Sequence, residues 1–173
     1  MHRRYAGCFY FISTSDFEAS AAFYEARGHE GLRELKMTTD YLRERHPDIY
    51  LVADAKRADI GSTAARQATA LFDALGVDAV TVNPYLGAEA IGPLLERVDR
   101  FAYVLCRTSN PGAGELQDLV VAADDAAGLA AELLHRRVAR RAATWGPGGT
   151  VGLVVGATAP AELAAIRAVA PGL

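Results

Sequence analysis

The 173-residue sequence, of 18.4 kDa, has the length of one domain, and its formal net charge of −3 excludes a basic surface of the kind that binds nucleic acid. Cys8 and Cys106 have no metal-ligand spacing, which excludes a disulfide scaffold or zinc ribbon and is typical of a reducing, cytoplasmic compartment. The apolar stretches are much shorter than a membrane span, and polar residues 13–16 interrupt the first, so we expect neither a membrane helix nor a secretory signal.

Short apolar runs alternate along the chain with longer amphipathic segments. The short runs predict strands over residues 8–13, 49–53, 79–82, 101–106 and 151–155. The longer segments predict helices over residues 19–27, 32–45, 62–75, 88–97, 123–145 and 159–169. Ser62 or Thr63 is the expected N-cap of the third helix, and the last helix is capped near Thr158. Continuously apolar strands separated by helices indicate an α/β protein with a parallel sheet buried on both faces.

Two architectures fit this alternation, an open doubly wound sheet and a closed (β/α)8 barrel. A complete barrel takes about 250 residues and seldom fewer than about 200. Five strand candidates in 173 residues therefore favour the open sheet when strands alone are counted.

Polar residues that follow the strands are the candidates for a site, because ligands gather at the carboxyl ends of parallel strands. Asp54 and Lys56 follow the second predicted strand, and they point to the same side if strand geometry persists that far. Asp59 lies at the turn into the next helix. Two carboxylates around one ammonium would hold the lysine protonated, ready to deliver a proton to a developing carbanion. The alternative is a surface salt-bridge cluster.

Three further segments follow strands and could line the same edge of the sheet. Residues 107–114 combine small and turn-forming residues, through which Ser109 and backbone N–H groups could approach a ligand, or they form a plain connecting loop. Residues 83–87 are better explained as an ordinary turn. Residues 155–158 either approach a ligand or cap the last helix.

Other residue types give weaker signals. The four histidines, His2, His29, His46 and His135, lack metal-ligand spacing and are expected to be solvated, so no metal site is predicted. No Gly-x-Gly-x-x-Gly, P-loop or Gly-x-Ser-x-Gly motif occurs, and neither cysteine has an obvious base partner. A basic stripe on the predicted long helix is interpreted as a solvated face; it consists of Arg136, Arg137, Arg140 and Arg141.

Residues 54–64, Asp-Ala-Lys-Arg-Ala-Asp-Ile-Gly-Ser-Thr-Ala, resemble the Asp-x-Lys-x-x-Asp-Ile signature of the orotidine 5′-phosphate decarboxylase family. Residues 22–26, 78–87, 105–114 and 152–158 resemble that family's bacterial subgroup. These segments occur in the family's order, and the resemblance spans residues 17–173. The short signature is shared with sugar-phosphate decarboxylases and aldol-type synthases of the same superfamily, whereas the longer loops are specific to the orotidylate branch.

The resemblance implies a (β/α)8 barrel, usually a homodimer with active sites shared between subunits, and so reverses the preference for an open sheet. We expect residues 1–173 to form a single partial barrel domain with about five to six of the eight strands. The implied activity is that of a carbon–carbon lyase, which removes CO2 from orotidine 5′-phosphate to give UMP in pyrimidine synthesis. The family uses neither a metal nor an organic cofactor.

Catalytic roles follow from the motif positions. Asp54 would lie against the substrate carboxylate, Lys56 would protonate C6 as the vinyl carbanion forms, and Asp59 would reach into the partner's site. The residues expected to bind substrate are Ile60, Thr63, Ser109 and Pro111. Among these, the resemblance implies that Thr63 contacts ribose and Ser109 the pyrimidine.

Three departures from the family pattern accompany the resemblance. Glu18 occupies the position of a family lysine, which reverses one charge of the expected Lys-Asp-Lys-Asp array. No counterpart of the first family strand precedes Cys8, and the phosphate-gripping loop would lie beyond Leu173. Two alternatives therefore stay open: a non-catalytic barrel remnant, and a magnesium-dependent sugar-phosphate lyase of the same superfamily.

Overall fold

A computed structural model describes residues 28–173; the predicted strand 8–13, the predicted helix 19–27 and Glu18 lie outside these residues. The helices are α1 (His29–Arg45), α2 (Gly61–Ala68), α3 (Ala88–Leu95), α4 (Gly114–Gln117), α5 (Leu134–Ala142) and α6 (Pro160–Val169). The strands are β1 (Val52–Arg57), β2 (Ala79–Val82), β3 (Phe101–Arg107), β4 (Val120–Val121), β5 (Glu132–Leu133) and β6 (Val151–Val155). A π-helical segment, Thr69–Ala74, continues α2, and 3-10 turns cover Pro84–Leu86, Pro111–Ala113 and Asp125–Ala127.

Four strands form a parallel sheet in the order β1-β2-β3-β6, whereas β4 and β5 form a separate antiparallel pair. The parallel strands follow one another in chain order, with a helix between each neighbouring pair. An open doubly wound sheet reverses its strand order at a switch point, and a (β/α) barrel does not. The described sheet is therefore an arc of a barrel, so the resemblance predicted the architecture correctly and the strand count alone was wrong.

Three of the predicted strands agree closely with strands of the described residues. Strands 79–82 and 151–155 have the predicted bounds, and β3 extends one residue beyond its prediction. The prediction 49–53 was displaced, because β1 runs on through polar residues to Arg57. Ladder pairing with β2 is interrupted after Ala53 and resumes at Arg57, and the Lys56 N–H donates to the Thr81 hydroxyl in between. These contacts with β2 hold the polar residues in the strand, and strand propensity alone does not predict them.

The core lies between the sheet and the helices packed on its outer face. Val80, Val82 and Val104 are fully buried, and they pack with Ile91 and Leu94 of α3. All four residues of β2 are buried, as predicted for a strand covered on both faces. In β3 only alternate residues are buried, so among the described residues the second face of this strand is half-covered.

The predicted helix over residues 123–145 was wrong. Its first half forms a 3-10 turn and strand β5, and only Leu134–Ala142 is α-helical. The Asp124 carboxylate accepts a hydrogen bond from the Ala127 N–H, and Gly128 adopts a left-handed backbone with φ 64°. Asp124 therefore caps the start of a short turn, and Gly128 ends that turn after three residues because a left-handed glycine carries the chain out of the helix.

The arginines of α5 form a solvated face only in part, because Arg140 and Arg141 are exposed whereas Arg137 is largely buried. Glu132 bridges Nε of Arg137 at 2.8 Å and Nε of Arg140 at 3.0 Å, and the Arg137 side chain is only 11% exposed. Burial raises the pKa of Glu132, but hydrogen bonds and charge from these two arginines outweigh it and hold that pKa below its usual range. The ion pairs of Arg137 and Arg140 with Glu132 tie α5 to β5, so part of the stripe also holds this segment in place.

Helix caps also differ from the predictions. Ile60 occupies the N-cap of α2 and Ala159 that of α6, and neither makes a side-chain capping hydrogen bond. Ser62 and Thr63 therefore lie inside the first turn, not before it. The helix starts earlier because Gly61, with φ 51°, makes the turn out of β1.

Asp78, at the amino-terminal edge of the sheet, holds α1 in place. Its carboxylate accepts a hydrogen bond from the Leu51 N–H at 2.8 Å and lies 2.5 Å from Nη2 of Arg43, which also donates to the Gly76 carbonyl. Arg100 lies 3.8 Å from the other carboxylate oxygen. With the Asp78 side chain only 14% exposed, these charges lie largely out of solvent and stabilise the fold.

Among residues 28–173, no helix is both long enough and apolar enough to cross a membrane.

Candidate active site

The carboxyl ends of β1, β2, β3 and β6 meet at one edge of the parallel sheet. Asp54 and Lys56 lie in β1, Asp59 and Ile60 in the turn that follows, Thr63 in the first turn of α2, and residues 108–111 in the loop after β3. Gly156 follows β6 at the same edge. The segments that the sequence predicted as a site therefore lie together, at the edge where parallel sheets bind ligands.

Asp54 and Lys56 are in direct contact. Nζ of Lys56 donates to Oδ2 of Asp54 at 2.7 Å, and the two side chains are 42% and 39% exposed, respectively. The predicted proximity is correct, but its geometric reason is different. Lys56 has a left-handed backbone with φ 48°, and the pairing of β1 with β2 is interrupted between residues 53 and 57. A β-bulge, not continued strand geometry, turns the two side chains toward each other.

Thr81 of β2 completes this group. Its hydroxyl donates to Oδ1 of Asp54 at 2.6 Å and accepts a hydrogen bond from the Lys56 N–H at 3.0 Å. Burial raises the pKa of the Asp54 carboxyl, but hydrogen bonds from Lys56 and Thr81, together with the Lys56 charge, outweigh it and hold that pKa below its ordinary value of 3.8. Asp54 is therefore a carboxylate throughout the physiological range, half open to solvent beside an ammonium group.

Asp59 is not joined to this pair within the described residues. Its Oδ1 accepts a hydrogen bond from the Ile60 N–H at 2.8 Å, and its own N–H donates to the Ala90 carbonyl at 3.3 Å. Ile60 is 63% exposed, and Thr63 is exposed one turn further along α2. This segment therefore leaves Ile60 and Thr63 exposed and Asp59 partly exposed at the edge of the sheet that also carries the Asp54–Lys56 pair.

The loop that carries Ser109 is anchored on the element that follows it. Arg107 forms a bidentate pair with Asp118, with Nε and Nη2 each 2.9 Å from a carboxylate oxygen. The Thr108 N–H donates to Oε1 of Gln117 at 2.8 Å, and Nε2 of Gln117 donates back to the Thr108 hydroxyl at 2.9 Å. A paired guanidinium and a paired amide thus fix both residues that precede Ser109.

Gly156 fits closely against Ser109. A Cβ added at Gly156 would lie 2.9 Å from Cβ of Ser109 and 3.2 Å from its backbone N and Cα. The Gly156 N–H also donates to the Arg107 carbonyl at 2.8 Å. The end of β6 therefore supports the start of this loop, and only glycine leaves room for it. Ser109 and Pro111 are themselves exposed, with Pro111 starting a 3-10 turn.

His135 was predicted to be solvated, and this was wrong: its side chain is 1% exposed. Nδ1 lies 2.9 Å from the Gln117 carbonyl and 3.2 Å from Oδ1 of Asp118, so Nδ1 carries a hydrogen. The imidazole therefore packs behind both residues that anchor the Ser109 loop. The sequence contains no signal for this contact, because His135 and Asp118 are brought together by the folding of α5 onto β3.

Cys106 gives no sign of nucleophilic chemistry. Burial raises the pKa of its thiol to about 12, and Sγ donates to the His135 carbonyl at 3.1 Å.

No group of three metal-ligating side chains occurs within residues 28–173. A cavity of about 320 Å³ lies between β6 and α6, where Tyr103, Leu153 and Ile166 line it, and it contains none of the predicted site residues.

The family model and two relatives that match this sequence carry the name of one enzyme. The family described as "Orotidine 5'-phosphate decarboxylase / HUMPS family" matches residues 17–173. Orotidine 5'-phosphate decarboxylase of Halorubrum lacusprofundi is 46% identical over 155 residues, which are 90% of this chain and 51% of that protein. The protein of the same name from Thermomicrobium roseum is 46% identical over 158 residues, 91% of this chain and 53% of that protein.

Solved structures of similar proteins superpose on most of this chain. The OMP decarboxylase of Leishmania donovani superposes with a TM-score of 0.77 at 41% identity, covering 88% of this chain and 57% of that one. The UMP synthase of the same organism gives a TM-score of 0.76 at 42% identity, covering 88% of this chain and 32% of that one. The chain thus spans about half the length of the curated relatives it matches.

Proposed function

Because this chain belongs to the orotidine 5′-phosphate decarboxylase / HUMPS family, we propose that it acts in the conversion of orotidine 5′-phosphate to UMP and CO2, with residues 1–173 as a single partial barrel domain. The observation that carries this proposal is the contact between the Lys56 ammonium and the Asp54 carboxylate at the ligand-binding edge of the sheet. The reaction needs both groups, and the proposal assigns it no metal or organic cofactor.

Lys56 is the proposed proton donor. Loss of CO2 breaks the bond between C6 and the carboxyl carbon and leaves its electron pair on C6, to which Lys56 transfers a proton. A neighbouring carboxylate keeps that ammonium protonated in the resting site, and Asp54 is held ionised by Lys56 and Thr81. A fixed ammonium beside the reacting carbon stabilises charge that develops only in the transition state, which lowers the barrier without tighter substrate binding.

Asp54 is proposed to lie against the departing carboxylate. Two like charges brought together in a partly buried site repel each other, and the repulsion is relieved as the substrate carboxylate leaves as neutral CO2. The half-exposed position of Asp54 leaves one side of its carboxylate open to such a ligand.

Asp59 is proposed to serve the site of a second subunit. Within the described residues its carboxylate accepts a hydrogen bond only from the Ile60 N–H, and exposed apolar side chains lie on the turns after β1 and β2, at the same edge of the sheet. Ile60, Tyr85 and Leu86 are 63%, 85% and 53% exposed. A homodimer that covers these side chains would bury apolar surface and carry Asp59 toward the partner.

The Ser109 loop is proposed to recognise the pyrimidine, with Ile60, Thr63 and Pro111 as further contacts to the substrate. The anchoring of Arg107 and Thr108 supports this role, because a hydroxyl that reads a base edge must be held in place. Gly156 limits how far the loop can shift.

The test is turnover by the full-length protein with its partner subunits present, measured as UMP formation from orotidine 5′-phosphate with and without EDTA. We expect UMP to form in both conditions. Turnover of a hexulose or keto-gulonate phosphate that needs Mg²⁺, with no UMP, would instead identify a sugar-phosphate lyase. No turnover of either substrate would overturn the proposed activity, and a gain on Glu18→Lys would then locate the defect at that position.

A further inference from the structure

Thr81 lies opposite the bulge in β1 that carries Asp54 and Lys56. The two strands pair in register at 52/79 and 53/80, but the next pair is 57/82. Three residues of β1 therefore face one residue of β2, and that one residue is Thr81. A bulge of this kind leaves backbone groups without their usual ladder partners.

The Thr81 hydroxyl supplies partners at this point. It accepts from the Lys56 N–H at 3.0 Å and donates to Oδ1 of Asp54 at 2.6 Å. A hydroxyl has one hydrogen to donate, so accepting from the backbone leaves that hydrogen for the carboxylate. Thr81 is 5% exposed, which means that water does not readily replace either bond.

The backbone that Thr81 holds is an unfavourable one. Lys56 has φ 48°, and it is the one residue other than glycine with positive φ within residues 28–173. A side chain at Cβ disfavours this conformation, which persists only where surrounding contacts enforce it. The left-handed turn at Lys56 accompanies the bulge that brings its ammonium back to Asp54, two residues earlier.

We propose that Thr81 is a positioning residue: its hydroxyl sets the Asp54 carboxylate and the bulged backbone of Lys56 in the geometry that brings the carboxylate and ammonium together. The kinetic part of this inference rests on the proposed decarboxylation, whereas the geometric part does not. Thr81 acts through Asp54 and Lys56, and it is assigned no contact with substrate.

Thr81→Val tests this inference, because valine keeps the shape of threonine and removes the hydroxyl. Asp54 then loses one of the two side-chain donors that it has within residues 28–173, Lys56 being the other, and the Lys56 N–H loses its acceptor. We expect kcat to fall roughly tenfold to a hundredfold, the range for losing one hydrogen bond to a charged group. KM should change much less, and Thr81→Ser should restore most of kcat.

A second readout does not need turnover. The pKa of the Asp54 carboxyl, followed by 13C NMR with Asp54→Asn to assign its signal, should rise in Thr81→Val and return in Thr81→Ser. Thr150→Val is the matched control, because Thr150 is also 5% exposed and its hydroxyl has no hydrogen-bond partner within the described residues. We expect this control to leave both kcat and the Asp54 pKa unchanged.

The outcomes separate the two proposals. If the wild-type protein does not form UMP, the proposed function fails and the Asp54 titration still decides the role of Thr81. If Thr81→Val matches wild type in both kcat and the Asp54 pKa, the positioning role is overturned. If Thr81→Val does not fold, Thr81→Ala is compared with Thr81→Ser, and equal titrations of Asp54 in those two variants overturn it as well.

Discussion

Two carboxylate–cation groups occupy opposite edges of the same parallel sheet. At the amino-terminal edge, Asp78 is 14% exposed and is shared by Arg43, Arg100 and the Leu51 N–H. At the carboxyl edge, Asp54 is 39% exposed, and its side-chain partners within the described residues are Lys56 and Thr81. The first group is enclosed by helix α1 and the sheet, while the second opens to solvent.

The difference shows how one fold uses the same chemistry for two purposes. Charges that are paired from several sides and withdrawn from water hold elements together, and removing one partner leaves the others uncompensated. An ion pair that is half exposed adds little stability, because water screens it. Its open side is instead available to a charged ligand, which is the property that the proposed reaction requires.

The largest expected effect is a loss of activity, without a loss of stability, when the carboxyl edge of the sheet is changed. Lys56→Met removes the proposed proton donor, and we expect kcat/KM for UMP formation to fall by about a thousandfold or more. The thermal midpoint should stay close to wild type, because the lost ion pair is half exposed. Lys36→Met is the matched control: Lys36 is the other lysine of the sequence and pairs with Asp40 on the exposed face of α1. Full activity in Lys56→Met would contradict its assigned role.

The converse effect is expected at the amino-terminal edge. Asp78→Asn leaves Arg43 and Arg100 without their shared carboxylate, and we expect a loss of about 2–4 kcal/mol in the free energy of unfolding. Urea denaturation measures this loss, and activity per folded molecule should not change. Asp73→Asn provides the comparison, since it breaks the more exposed pair with Arg97 and should cost less than about 1 kcal/mol. Equal losses in the two variants would remove the distinction between enclosed and exposed pairs.

A smaller effect is expected where β6 supports the Ser109 loop. Gly156→Ala places a Cβ against the Ser109 backbone and should displace the loop, lowering kcat/KM roughly tenfold to a hundredfold. Gly92→Ala in α3 is the control, because nothing lies within 4 Å of the added Cβ there. Steady-state kinetics of both variants test this prediction, which fails if their kcat/KM values are alike.

The smallest effect concerns the titration of Asp54. Because its folded-state pKa lies below 3.8, Asp54 contributes stability that is present above the unfolded-state pKa and is lost as pH falls through the folded-state pKa. Lys56→Met removes a hydrogen bond and a charge that lower this pKa, so the pKa should rise. NMR titration of the carboxyl signal measures the rise, and an unchanged value would show that Lys56 does not govern the ionisation of Asp54.

Sequence reasoning was most reliable where hydrophobic runs had clear ends. Strands 79–82 and 151–155 were predicted to the residue, because turn residues end each apolar run. It failed at residues 123–145, where abundant alanine suggested a long helix. Gly128 overrides that local preference by ending the turn that Asp124 caps, and the Glu132 ion pairs then hold a different backbone.

The candidate site was predicted in part. The spacing of Asp54 and Lys56 predicted their contact, although the bulge that produces it could not be foreseen from strand periodicity. Asp59 was predicted beside them, and within the described residues it contacts only its own turn. The buried His135 was missed altogether, because a lone histidine carries no periodic pattern that distinguishes a solvated position from one packed behind a loop.

The amino-acid sequence by itself determined the alternation of strands and helices, the polar residues at the strand ends and the family to which these segments belong. Those properties depend on local composition and on motifs of a few residues. Only the tertiary structure decided that Thr81 holds Asp54, that Gly156 supports Ser109 and that Asp78 fastens α1 to the sheet. Each of these contacts joins residues more than 25 positions apart, so it depends on strand register and helix packing that no local pattern encodes.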